Sequence, residues 1–157
     1  DAAWRMLDTP TDLAAACEMA GRRHGIRAAR WALAHADPRS ESPGESLSRY
    51  WMIMGKIPTP TLQLEILDPG GHFVARADFA WEEYRVLGEF DGRIKYASSL
   101  NGQPLAEVVM REKERENRLR ALGWWVYRWT WDDLRHGQRF AADLRRFLDE
   151  SPFRRTR

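Results

Sequence analysis

Residues 73–96 read FVARADFAWEEYRVLGEFDGRIKY, and this stretch decides the fold. Alternate residues separate into two faces, because successive side chains of a β-strand point to opposite sides. The first face is apolar and carries Phe73, Ala75, Ala77, Phe79, Trp81, Val86, Gly88 and Phe90. The pattern predicts a β-hairpin with its turn near Glu82, Glu83 and Tyr84, and it predicts that the first face is buried.

The second face of the hairpin mixes apolar and charged side chains. It carries Val74, Arg76, Asp78, Ala80, Leu87, Glu89 and Asp91. Two registers are compatible with the turn, and they set Asp78 either directly opposite Glu89 or diagonal to it. Two ionised carboxylates about 4 Å apart repel each other by about 4 kcal/mol at an effective dielectric constant of about 20. We therefore expect positive charge beside Asp78 and Glu89.

Two sources of that positive charge are compatible with the pattern. A bound divalent cation would supply it directly, and a ligand set made only of oxygen favours Mg²⁺, Mn²⁺ or Ca²⁺ over zinc. Alternatively, the second face is exposed to water, and Arg76, Arg85 and Arg93 screen the acidic groups. Spacing alone does not separate the two, because structural ion-pair networks resemble functional clusters.

The composition indicates a globular protein. The chain has 157 residues, of which 43% are hydrophobic and 31% charged, and its formal net charge of +2 does not by itself indicate a nucleic-acid-binding protein. No apolar run approaches the roughly 20 residues that span a bilayer, and no signal-peptide pattern opens the sequence, so we expect a cytoplasmic protein. The single cysteine, Cys17, excludes an intrachain disulfide and a cysteine-based zinc site.

The remaining segments predict a mixed α/β domain of order α-βββ-α-β-α with a helical lead-in. The predicted helices cover about residues 11–21, 26–36, 43–54, 107–122 and 131–148, and the further strands cover about 61–67 and 124–131. Helix 107–122 is long enough to connect two parallel strands, so the sheet is expected to be mixed, with helices on its faces. We assign residues 1–40 to a lead-in that ends a longer N-terminal region, and 41–157 to the domain.

Two of these helices begin at recognisable capping boxes. Ser42 at the N-cap and Glu45 at N3 open helix 43–54, and Thr130 with Asp133 opens the last helix. A capping role explains Glu45 without any catalytic function.

In the order and type of its charged residues, the chain resembles the PD-(D/E)XK restriction-endonuclease-like superfamily. An acid on a leading helix (Glu45), an acid on the second strand (Asp78), another on the third (Glu89) and a following base (Lys95) make the pattern. The stretches ARADFAW, LGEFDGRIKY and EKERENRLRALGWWVYRWTW are most similar to the branch related to very-short-patch-repair (Vsr) endonucleases. Within it they resemble a bacterial family often found behind an AbiEi-type winged-helix antitoxin domain.

This resemblance implies a restriction-endonuclease-like fold and a Mg²⁺- or Mn²⁺-dependent nuclease that acts on DNA, with RNA as the other substrate. Asp78 and Glu89 would bind the metal, with Glu45 and the carbonyl of Phe90 as further ligands. Lys95 would orient the attacking water or stabilise the transition state. The longer proteins of this type imply a winged-helix partner domain and a role in defence or in a toxin–antitoxin system.

The sequence departs from the superfamily pattern at one important position. Asp91 stands where the signature has its lysine, so a catalytic lysine would have to come from Lys95. Asp91 is either a turn residue or another metal ligand. The departure also motivates a second hypothesis, that the domain is a catalytically inactive nucleic-acid-binding module of a transcriptional regulator. In that case phosphates would be contacted by four basic residues, Arg76, Arg93, Lys113 and Arg115.

Overall fold

The structure, a computed structural model, describes residues 10–92 and 105–153. The helices are α1 (Pro10–Met19), α2 (Ile26–His35), α3 (Pro43–Met54), α4 (Leu105–Ala121), α5 (Trp131–Arg135) and α6 (Gly137–Asp149). The strands are β1 (Thr61–Leu67), β2 (Phe73–Trp81), β3 (Val86–Asp91) and β4 (Trp125–Thr130). The chain divides into two compact units between Ser46 and Leu47. None of the helices is long and apolar enough to cross a membrane, as far as the described residues go.

The first unit contains α1, α2 and the start of α3. Helices α1 and α2 contact each other, and the Arg30 guanidinium donates a hydrogen bond to the Cys17 carbonyl at 3.3 Å. Gly21 follows α1 with φ +59°, a left-handed conformation that glycine adopts without steric cost. The predicted helical lead-in is therefore present in the described part of this segment.

The second unit is built on a mixed four-stranded sheet in the order β1-β2-β3-β4. Strands β1, β2 and β3 are antiparallel neighbours, and β4 is parallel to β3. This confirms the predicted meander and the parallel connection through α4. Phe79 pairs with Gly88 and Trp81 pairs with Val86, which is the register that sets Asp78 across from Glu89.

Near the turn, the first face of the hairpin is buried as predicted, with Phe79, Trp81 and Val86 in the larger hydrophobic cluster. Farther from the turn the prediction is wrong, because Ala75 and Ala77 are buried in a second, smaller cluster and Phe73 is 62% exposed. The buried members of the larger cluster come from the sheet, the second half of α3, the segment between α3 and β1, α5 and α6; they are Met52, Ile57, Leu62, Phe79, Trp81, Val86, Trp129, Leu134, Phe140, Leu144 and Leu148. Trp129 is 1% exposed, and its indole N–H donates a hydrogen bond to the buried Ser48 hydroxyl at 2.7 Å. Near the turn, the apolar periodicity of β2 and β3 therefore decides which side of the sheet these helices cover.

The second face of the hairpin is only partly open, because α4 contacts β2 and β4. Ala80 and Leu87, near the turn, are buried in a smaller cluster together with Leu119 and Trp124. The same cluster contains Ala75 and Ala77, which lie farther from the turn than Asp78. The smaller cluster therefore extends along β2 on both sides of Asp78.

The predicted last helix is in fact two helices, α5 and α6, which meet at His136. His136 has φ −111° and ψ 50°, outside the helical region, and its N–H donates to the Asp133 carbonyl at 3.1 Å. Gly137 begins α6 and is buried against the indole of Trp51. The continuous helix was wrong because the apolar period runs through the break, and a break of one residue does not change which side chains are buried.

Candidate active site

Asp78 lies on β2 at the point where the pairing of β2 with β3 ends. Its Oδ2 accepts a hydrogen bond from the backbone N–H of Phe90 at 3.0 Å. On the other side, the pairing of β1 with β2 passes from Leu62 to Leu64, and Gln63 between them has φ +54°. Left-handed backbone at a non-glycine residue costs about 1 kcal/mol or more. The sheet is therefore irregular on both sides of this half-buried carboxylate.

Glu89 lies on β3 and is bound by two arginines. Arg115, from α4, donates two hydrogen bonds to its two carboxylate oxygens, each at 2.8 Å. Arg128, its neighbour on the parallel strand β4, donates a third from Nε to Oε2 at 2.9 Å. The Glu89 side chain is 15% exposed. Such charge-assisted, bidentate bonds are among the strongest hydrogen bonds in proteins.

The same two arginines also bind two glutamates of α4. Arg115 donates to Glu112 at 2.8 Å, and Arg128 donates to Glu112 at 2.7 Å and to Glu116 at 2.8 Å. The five side chains form one network, which we call the arginine–glutamate cluster, and it joins α4 to β3 and β4. The positive charge expected beside Glu89 is therefore supplied by arginines.

Both arginines of the cluster are held in the charged form. Hydrogen bonds to Glu89 and then to Glu112 raise the pKa of Arg115 well above its usual value. Burial opposes the charge of Arg128, but its hydrogen bonds to Glu116 and Glu89 still raise its pKa. An arginine whose pKa is higher in the folded than in the unfolded state stabilises the fold at every pH below its unfolded-state pKa. Neutral pH lies far below that value, so the stabilisation from Arg115 and Arg128 is fully present there.

Arg85, one of the three arginines expected to screen the acidic groups, has a different role. Arg85 donates to the carbonyl of Leu122 at 2.5 Å and to that of Gly123 at 3.2 Å, and its guanidinium lies 4.0 Å from the ring centre of Trp124. These carbonyls follow the last turn of α4, where a cation is favourable. Arg85 therefore closes the end of α4, at the turn end of the hairpin.

Phe90 and Asp91 complete the predicted part of the site on β3. The Phe90 ring packs edge-on against Trp131 with ring centres 5.0 Å apart, and its N–H holds Asp78. Asp91 is exposed and lies next to Thr130 in the parallel pairing with β4. The structure therefore places Asp78, Glu89, Phe90 and Asp91 together at one end of the β2–β3 hairpin.

Glu45 belongs to the first compact unit, where its carboxylate makes local hydrogen bonds. The Ser42 hydroxyl donates to Oε1 at 2.7 Å, the Glu41 N–H donates to Oε2 at 2.7 Å, and the Glu45 N–H donates back to the Ser42 hydroxyl at 3.1 Å. Glu45 is 7% exposed. The predicted capping interaction between Ser42 and Glu45 is confirmed, and it accounts for the burial of this acid.

The basic residues predicted to contact phosphate are distributed over several elements. Arg76 is exposed on β2 and Lys113 is exposed on α4, whereas Arg115 belongs to the arginine–glutamate cluster. Arg93 and Lys95 lie outside the described residues. Arg128 is a further residue of the site that the sequence motifs do not identify, although a single arginine in the aromatic and β-branched strand WVYRWT indicates a specific polar partner.

The donor groups near Asp78 fit a hard divalent cation in kind. Asp78 and Glu89 offer only oxygen, the donor that Mg²⁺ and Mn²⁺ prefer. Glu89 Oε1 accepts a hydrogen bond from Arg115 at 2.8 Å, and a carboxylate oxygen has a second lone pair that can bind a cation. Within residues 10–92 and 105–153 there is no group of three or more His, Cys, Asp or Glu side chains that could hold a metal ion. A complete coordination sphere would therefore also need backbone, water or substrate oxygens.

No protein-family model matches this chain, and no solved structure matches it. The chain is similar to two curated proteins of Mycobacterium tuberculosis, "Uncharacterized protein MT2308" of strain CDC 1551 / Oshkosh and "Uncharacterized protein Rv2248" of strain ATCC 25618 / H37Rv. Each is 38% identical over 138 residues, which make up 87% of this chain and 48% of the relative. The chain thus spans about half the length of the curated relatives it matches.

Proposed function

We propose that the sheet and its helices form a restriction-endonuclease-like domain that hydrolyses phosphodiester bonds in DNA with Mg²⁺ or Mn²⁺. The main support is the placement of Asp78 and Glu89 on adjacent strands at the end of the β2–β3 pairing, where the Phe90 N–H binds Asp78 at 3.0 Å. The order of elements, with three antiparallel strands, a crossover helix and a parallel fourth strand, is compatible with this proposal.

In this proposal Asp78 and Glu89 would hold the cation, with the Phe90 carbonyl and Asp91 as further ligands. A cation bound there would lower the pKa of the attacking water and neutralise charge on the phosphate. Hydrogen bonds within the chain hold the two carboxylates in place. The Phe90 N–H orients Asp78, and Arg128 fixes Glu89 from the neighbouring strand. Glu45 remains a proposed further ligand, directly or through water, and Lys95 remains a proposed cation that orients the attacking water or stabilises the transition state.

The biological setting is part of the same proposal. We propose a cytoplasmic protein of a defence or toxin–antitoxin-related system, with a winged-helix domain as its partner. The support is the resemblance to the family found behind AbiEi-type domains, together with relatives about twice as long as the matched region.

The test is metal binding and DNA cleavage by the purified wild-type protein. We expect Mn²⁺ to bind in calorimetry, and supercoiled plasmid to be nicked or linearised in Mg²⁺ or Mn²⁺ but not in EDTA. A single-stranded RNA assayed in parallel separates the two substrate classes. A protein that binds no divalent cation and leaves plasmid intact would contradict the proposal.

One observation favours a second function, a catalytically inactive nucleic-acid-binding domain of a regulator. Glu89 has its charge compensated by Arg115 and Arg128 within the fold, so the site is electrostatically satisfied by side chains alone. This alternative predicts DNA binding that persists in EDTA and weakens steeply with salt, because phosphate contacts release counterions. Affinity that instead requires a divalent cation would favour the nuclease.

A further inference from the structure

Strand β3, as the structure describes it (Val86–Asp91), carries no basic side chain beside Glu89, and Lys95 lies outside the described residues. The next residue on the same face is Asp91, which adds negative charge. Phosphoryl transfer needs cations placed where charge develops on the phosphate oxygens. The described cations that contact Glu89 are Arg115 and Arg128. Arg115 and Arg128 are therefore the two candidates for the cation that binds the phosphate.

The contacts of Arg115 and Arg128 differ, and the difference favours Arg115. Arg128, on the edge strand β4, divides its donors among three carboxylates, those of Glu89, Glu112 and Glu116. Arg115 contacts two of these, Glu89 and Glu112. If Arg115 moves away, both acids keep a hydrogen bond from Arg128, at 2.9 and 2.7 Å. If Arg128 moves away, Glu116 loses its 2.8 Å hydrogen bond as well.

We infer that Arg115 is the phosphate-binding cation of this site, in the role that a strand-borne base would otherwise have. This inference rests on the proposed nuclease function. In the complex with DNA the guanidinium moves from Glu89 to two oxygens of the scissile phosphate, for which its planar, two-pronged shape is suited. Arg128 stays on Glu89 as a positioning residue.

This role has a consequence that separates it from a structural one. Arg115 occupies both oxygens of Glu89, at 2.8 Å each, so it competes with any cation for that carboxylate. Its removal is expected to strengthen Mn²⁺ binding while weakening catalysis. A purely structural arginine would change both in the same direction, because loss of the site geometry impairs metal binding and cleavage together.

The experiment compares Arg115→Ala and Arg115→Lys with Arg118→Ala, which removes one exposed arginine from the same helix. Mn²⁺ affinity is measured by calorimetry, cleavage under single-turnover conditions, and folding by thermal unfolding. We expect Arg115→Ala to cleave about 10²- to 10³-fold more slowly, the effect typical of losing one transition-state hydrogen-bond donor. Its Mn²⁺ affinity should equal or exceed that of the wild type. Arg115→Lys should recover part of the cleavage rate, since lysine keeps the positive charge but cannot make the bidentate hydrogen bonds of a guanidinium. Arg118→Ala should cleave as fast as the wild type.

The outcomes distinguish failure of this inference from failure of the proposed function. If the wild type binds Mn²⁺ and cleaves DNA but Arg115→Ala cleaves equally well or faster, Arg115 is not the phosphate-binding cation, although the domain is a nuclease. Loss of Mn²⁺ affinity together with activity in folded Arg115→Ala would also overturn the inference and assign Arg115 a structural role. If the wild type neither binds Mn²⁺ nor cleaves, both ideas are wrong.

Discussion

Asp78→Asn is expected to lower plasmid cleavage by about 10²- to 10³-fold while leaving the fold intact. The reason is that the amide keeps the shape of the side chain and one acceptor oxygen, so the hydrogen bond from the Phe90 N–H, 3.0 Å in the wild type, can persist. What is lost is the negative charge that would attract a divalent cation. Single-turnover cleavage in Mg²⁺ and Mn²⁺, with Mn²⁺ calorimetry on the same samples, measures both effects.

The matched control is Glu83→Gln, which removes one negative charge from the turn at the other end of the same hairpin. It should cleave as the wild type does. Equal activity of Asp78→Asn and wild type would exclude Asp78 as a metal ligand. A thermal unfolding curve for each variant shows that any loss of activity arises in folded protein.

Gly137→Ala is expected to destabilise the second unit by about 3 kcal/mol, at or above the upper end of the usual overpacking range. A Cβ at this position would lie 1.9 Å from Cε2 and 2.0 Å from Cδ2 of Trp51, far inside van der Waals contact. Gly137 is buried at the start of α6, and Trp51 is packed against the main hydrophobic cluster. Neither α6 nor the indole can therefore shift without disturbing the core. Urea unfolding followed by tryptophan fluorescence measures the loss.

Gln138→Ala is the control for this substitution, because Gln138 is the next residue of α6 and is exposed. Its effect should lie within about 0.5 kcal/mol of zero. A second variant tests the mechanism, since Trp51→Val in the Gly137→Ala background should recover part of the loss through removal of the clashing ring. A Gly137→Ala protein as stable as the wild type would show that Trp51 can move freely.

Much of the fold could be predicted because its signals are local. The alternation in residues 73–91 identifies the hairpin, its turn and the buried residues next to the turn. The Ser42–Glu45 capping interaction, the parallel β4 and the bounds of α3 and β1 also follow from patterns within a few residues or from the length of one crossover helix. Periodicity and capping are properties of residues close together in the chain, so they can be recognised from the sequence alone.

The partners of Glu89 could not be predicted in the same way. Arg115 and Arg128 are 26 and 39 residues away along the chain, and only the packing of α4 on the sheet brings them to that carboxylate. The spacing of Glu112 and Glu116 on α4 matches local i,i+3 and i,i+4 pairing, which gives no indication of a contact with the sheet. The sequence indicated that Glu89 needs a counter-charge, and the long-range contacts show that Arg115 and Arg128 supply that charge.

The sequence by itself determined the secondary structure around the hairpin and the pairing of the strands that carry Asp78 and Glu89, because strand period and turn position are set by neighbouring residues. Tertiary structure alone decided which cations bind Glu89, why Ala75 and Ala77 join the cluster that contains Leu119 of α4, and why Gly137 has no room for a methyl group against Trp51. These features depend on distances between segments remote in the chain, and no local pattern encodes such distances.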